Sequence, residues 1–228
     1  VINIKTKKNK MFGYNGNITS GYTQGRYARF NESLSFNYRN KKVNFFSNLA
    51  YNRNHRGQEL YIVRNFRDAN TKSIKSIFDQ STEMESQSHY YNAKLGMDYT
   101  VSRNTTVGVV LNGYYNPSLW QSSTNTLIYN PDMVLTDQTT AFTENDEKWK
   151  NFSTNFNFRT KLDSAGQEIT GDLDFIQYKS TNVQPLTSTY YDNMGNLKQA
   201  PDVLLGTLPS NIKIYSGKVD YTLPLKKG

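Results

Sequence analysis

Cysteine is absent from this sequence. That excludes disulfides, thiolate metal sites and cysteine nucleophiles. Histidine is nearly absent: His55 and His89 stand far apart, without the short spacing of a zinc pair, and read as interfacial loop residues. No apolar run approaches about 18 residues, so no helix can cross a membrane. Strands that cross one are not excluded, because every second residue of such a strand faces away from lipid. Helical periodicity is scarce as well. Only residues 67–80 carry a partial one, through Ile74, Ile77 and Phe78.

The chain is polar, with a mean hydropathy of −0.73. Yet it holds 17 Tyr and 12 Phe among 228 residues, so it lacks the aromatic-poor composition of disorder. Such a chain needs an architecture with much polar surface and a thin apolar band. Net charge is +8, which raises the question of nucleic acid. The bases are scattered among acids and form no stripe, so no nucleic-acid partner is expected.

Period-2 alternation recurs along the chain. Leu95, Met97, Tyr99 and Val101 share one face while Lys94, Gly96, Asp98 and Thr100 share the other. The same pattern marks strands at about 11–22, 29–39, 43–54, 88–101, 105–116, 150–162, 168–180 and 211–224. The fold class is therefore all-β, an antiparallel up-and-down meander of about eight long strands.

The connections alternate after the first hairpin. "RNKK", "SRN" and "DSAGQ" read as tight turns, whereas 55–87, 117–148 and 181–210 read as long loops. Those loops hold Pro117, Pro131, Pro185, Pro201 and Pro209. Tight turns at one end and long loops at the other are the asymmetry of an outer-membrane barrel. Tyr14, Tyr22, Tyr38, Tyr51, Tyr99, Tyr115 and Tyr221 fall near strand ends on the apolar face, as an aromatic girdle would. An antiparallel sheet with one wet face gives the same alternation, but strands of this length and loops of about 30 residues are uncommon in compact soluble domains.

The opening "VINIKTKK" resembles the end of the plug domain in TonB-dependent outer-membrane receptors. The following "FGYNGNITSGYTQGRYARFNESLSFNYRNKKVNFFSNLAYN" resembles the first barrel strands of that family, especially its Bacteroidetes variants, and "VDYTLPLKKG" resembles its strand-then-turn element. The resemblance implies that residues 1–8 are the last plug strand and connector, and residues 9–228 the N-terminal part of a larger transmembrane barrel in the bacterial outer membrane. It implies energised uptake of a siderophore, glycan, peptide or cobalamin. The implied partners are outer-membrane lipid, the protein's own plug and remaining strands, and TonB acting through a plug outside this sequence. A surface lipoprotein partner is left open.

No catalytic constellation stands out, so neither an enzyme nor a cofactor is expected. "TENDEK" at 143–148 reads as a solvated acidic loop before it reads as a calcium site. "YYDNMGN" at 190–196 reads as a hairpin tip. Glu32, Lys94, Asp98, Arg159, Asp172, Asp174, Lys218 and Asp220 are expected to face the lumen or plug. Tyr61, Trp120, Tyr129, Tyr190 and Tyr191 are loop aromatics that could stack on a ligand or pack loops together. Lys41, Lys42, Arg103, Lys226 and Lys227 fall at the short-turn end, with Lys5 to Lys10 nearby, where anionic headgroups or water would meet them. Two other readings compete: a complete small eight-stranded barrel acting as anchor or adhesin, and a soluble β-rich glycan-binding module.

Overall fold

The computed structural model describes residues 12–224. The expected plug strand, the Lys5–Lys10 run and Lys226 and Lys227 lie outside them. The described residues form one antiparallel sheet of nine strands and no helix. These are β1 (Gly13–Gln24), β2 (Ala28–Arg39), β3 (Val43–Arg67), β4 (Ile74–Thr100), β5 (Thr105–Tyr129), β6 (Leu135–Lys161), β7 (Glu168–Asp192), β8 (Asp202–Thr207) and β9 (Ser210–Thr222). β1 to β7 are neighbours in chain order, and β8 and β9 both pair with β7.

β8 and β9 behave as one interrupted strand. Val183 faces Thr207 and Ser180 faces Ser210, so the register on β7 does not slip between them. The break falls at Leu208–Pro209, where proline has no N–H to give the ladder. The Leu208 N–H still donates to the Asn182 carbonyl at 2.9 Å. The meander of about eight segments is thus present, with each expected strand overlapping an observed one.

Most of the three long loops is strand. β3 and β4 pair from Val43–Tyr99 out to Arg67–Ile74. β5 and β6 pair from Thr105–Thr160 out to Tyr129–Leu135, and β7 reaches Asp192. Strands of 25 to 27 residues extend roughly 80–90 Å at about 3.3 Å per residue. A lipid-facing band is only about 25 Å tall, so more than half of each hairpin stands clear of it. Alternation fades in these extensions because both faces there meet water. The asymmetry between the two ends persists, but as strand extension rather than loop length.

The partial helical period at 67–80 is a hairpin tip. Asp68 Oδ1 accepts the N–H groups of Asn70 and Thr71 at 2.9 Å, and Lys72 takes φ 59°. A register shift at Phe66/Arg67 displaces Ile74 from the alternation, which imitates a helical spacing. The 190–196 tip is found as expected, with Gly195 at φ 81°. Pro117 and Pro185 lie inside strands, not loops. Each coincides with a gap in pairing on one side: β4–β5 pairing stops at Ser88–Ser118 and resumes at Tyr91–Tyr115, and β6–β7 pairing skips from Thr143–Leu186 to Asp146–Val183.

Among the described residues no hydrophobic side chain is buried. This single layer has no core of its own. Its stability comes from the ladder and from whatever solvent meets its apolar face.

Candidate functional site

Register sorts the side chains onto two faces, because a strand's residues alternate sides. On one face, toward the end carrying the turns at 40–42, 101–104 and 162–167, stand Ile18, Leu34, Leu49, Leu95, Leu111, Phe156 and Leu173. They are 40–79% exposed. A contiguous apolar surface of this kind is untenable on a soluble monomer. Its upper boundary is a tyrosine row. Tyr51, Tyr91 and Tyr115 are direct cross-strand partners, with ring centroids 5.0 and 6.3 Å apart. Below it, Tyr14 and Tyr38 pair across β1 and β2 at the opposite edge of the band.

The opposite face carries a polar row at the level of that lower edge. Asn44, Asp98, Gly108, Asn157, Asp172 and Lys218 are successive cross-strand partners from β3 to β9. Asn44 Nδ2 donates to Asp98 Oδ2 at 3.1 Å. Asn157 Nδ2 donates to Asn155 Oδ1 at 2.9 Å, and Asn155 Nδ2 donates to Asp174 Oδ1 at 2.8 Å. Lys218 pairs with Asp220 at 2.6 Å, and Arg159 with Glu168 at 2.6 Å. Gly108 is the gap in the row: a Cβ there would lie 2.6 Å from Asn157 Oδ1 and 2.8 Å from Asp98 Oδ1.

Lys94, Asp98, Arg159, Asp172, Asp174, Lys218 and Asp220 share this polar face. Glu32 does not. It alternates with Ser33 and shares the side of Leu34 and Phe36, pairing with Ser20 and Tyr51. It belongs to the tyrosine row, at the edge of the apolar band.

Residues 160–228 match the outer membrane protein beta-barrel family. The match covers the end of β6 and all of β7 to β9. The protein is a β-barrel protein of the bacterial outer membrane. In a barrel of this kind an apolar face is the side for lipid and a polar face is the lumen side. No curated protein matches the chain.

The expected ligand aromatics divide between the faces. All five lie on strands. Trp120 and Tyr190 point to the lumen side. Tyr61, Tyr129 and Tyr191 point to the other, and the Tyr61 hydroxyl donates to Asp79 Oδ2 at 2.9 Å. The lumen side also carries aromatics that loop reasoning missed: Tyr90, Tyr114, Trp149 and Tyr178. Tyr114 and Tyr178 are each directly opposite Asn151, and Tyr90 and Trp149 each directly opposite or aligned with Asn116. The Tyr90 and Tyr114 rings lie 5.6 Å apart. The buried Oδ1 of Asn116 has no hydrogen-bond partner in the protein. The signal was in the sequence: a Tyr-Tyr doublet within a strand, as at 90–91 and 114–115, must send one ring to each face.

The histidines are strand residues, not loop residues. His55 Nε2 lies 2.8 Å from Glu85 Oε1, and its ring stacks on Tyr27 at 3.6 Å. The Gln87 amide and then His55 hold the Glu85 carboxyl below its ordinary range. His89 Nδ1 lies 3.0 Å from the Tyr51 hydroxyl. The acidic 143–148 segment is also strand. Glu144 and Asp146 share one face and Glu147 takes the other, so they do not converge. Among the described residues no group of His, Asp and Glu could hold a metal ion.

Proposed function

We propose that this chain is the N-terminal part of the wall of a TonB-dependent receptor that imports a scarce nutrient, with no chemical step of its own. The observation that carries this reading is the open, wide sheet with two unlike faces. Among the described residues β1 pairs only with β2, and β9 only with β7. Closure of a small eight-stranded barrel would join those edges, so the open sheet favours a larger barrel over an anchor or adhesin. The lumen face is polar, with Asn and charged rows suited to a plug domain. Above it stand the lumen-side aromatics, whose π faces suit a sugar or an aromatic siderophore. The far ends of the hairpins face the cell exterior, where longer extracellular segments belong.

Uptake by cells producing the full protein tests this. A labelled glycan or siderophore should enter only while the inner membrane is energised and TonB is present. Uptake that persists after dissipation of the proton-motive force would contradict the energised reading.

A further inference from the structure

The lipid-facing surface of β6 to β9 carries a basic cluster where a lipid-facing wall should be neutral. Lys150 and Lys179 are direct cross-strand partners on this face. Lys213 sits diagonally beside Lys179 on β9, opposite Gln177. Like charges directly opposite one another destabilise a ladder. Among the described residues, none of these three lysines enters an ion pair. Lys150 Nζ instead lies 5.3 Å from the centroid of the Tyr115 ring. That contact fixes the level, since Tyr115 belongs to the tyrosine row that bounds the apolar band. The three ammonium groups therefore stand together at the headgroup level of the bilayer.

An apolar groove opens on the same face, on the membrane side of the lysines. Its nearer part, about 430 Å³, is lined by Phe156, Leu173, Phe175, Tyr215 and Gly217. It continues past Val109 and Val219 into a second hollow of about 570 Å³ that shares Phe156, Leu173 and Gly217. Gly217 keeps it open: a Cβ there would already stand 3.3 Å from Leu173 Cδ2.

We infer that Lys150, Lys179 and Lys213, with this groove, form a binding site for an anionic, phosphate-bearing membrane lipid. The headgroup phosphate neutralises the like-charge pair, and an acyl chain lies along the groove. Charge complementarity selects the head, and continuity of lysines with groove selects an amphiphile over a free anion. This site depends on the lipid-facing assignment of the wall and not on the transport reading above.

Native mass spectrometry of the full chain in maltoside micelles tests it, with dioleoyl phosphatidic acid, dioleoylglycerol and inorganic phosphate as probes. The wild type should hold phosphatidic acid in preference to both others. The double variant K150Q/K179Q, altered only at exposed positions, should bind phosphatidic acid at least about tenfold more weakly. Gly217→Leu should weaken it with the lysines intact. The control K41Q/K42Q, at the opposite end of the wall, should bind as the wild type does. Equal binding of dioleoylglycerol, equal binding of inorganic phosphate, no loss in K150Q/K179Q or Gly217→Leu, or equal loss in K41Q/K42Q would each overturn the site.

Discussion

The Phe46 ring lies over the bare backbone of Gly96, its direct cross-strand partner on the lumen face. The ring fills space that a side chain at 96 would occupy. Gly96→Ala should therefore destabilise the protein by about 1–3 kcal/mol through overpacking. The penalty should shrink in a Phe46→Ala background, where the ring is gone. Chemical unfolding of the four proteins of that cycle measures the coupling. Additive effects would show that the ring and the glycine are independent.

Leu95 and Lys94 are adjacent and face opposite solvents. Leu95→Arg puts a charge within the apolar band and should cost about 2–4 kcal/mol if it lies near the bilayer midplane. Lys94→Leu on the lumen side should cost far less. Folding titrations into bilayers compare them, and equal costs would undo the assignment of faces.

The Asp192 tip should loosen in acid. The Asn196 side chain, then the backbone N–H groups of Asn196 and Met194, hold the Asp192 carboxyl below its ordinary value. A depressed carboxyl contributes fully above the unfolded pKa, about 3.9, and its contribution disappears as pH falls through the lower folded value. Amide exchange at Met194 and Asn196, corrected for its intrinsic pH dependence, should lose protection only below about pH 4. Asp192→Asn should abolish that acid-dependent step.

On the proposed uptake function, ligand recognition should follow the lumen face. Trp149→Ala and Tyr114→Ala should each weaken binding of a transported glycan or siderophore, by roughly 0.5–1.5 kcal/mol if one aromatic contact is lost. Tyr61→Ala and Tyr191→Ala, on the opposite face, should leave it unchanged. Calorimetric titration distinguishes the two pairs.

The membrane-level half of the wall was legible because lipid and lumen impose opposite demands on alternate residues. Leu95 beside Lys94, and Phe156 beside Asn157, state both demands at once. The hairpin extensions were not legible for the complementary reason. At 55–67 and 74–87 both faces meet water, so nothing forces alternation, and backbone pairing alone carries the strand. Prolines deepened the misreading. Pro117 and Pro185 look like loop markers, yet each is tolerated in a strand where pairing lapses on one side. Glu32 was misplaced for a simpler reason: its charge suggested the lumen, while its position beside Ser33 fixed it on the face of Leu34. Tyr90 and Tyr114 were hidden in Tyr-Tyr doublets, whose second ring is easily credited to the apolar face.

Spin labels test the two-faced wall most directly, since the chain has no cysteine and each introduced one is unique. Labels placed singly from 91 to 99 in the protein reconstituted in a bilayer report access to oxygen and to a water-soluble nickel chelate. Oxygen access should peak at 91, 93, 95, 97 and 99 and chelate access at 92, 94, 96 and 98. Labels from 78 to 86 should meet the chelate on both faces. Uniform chelate access from 91 to 99, or oxygen access without the period of two, would contradict a lipid-facing wall.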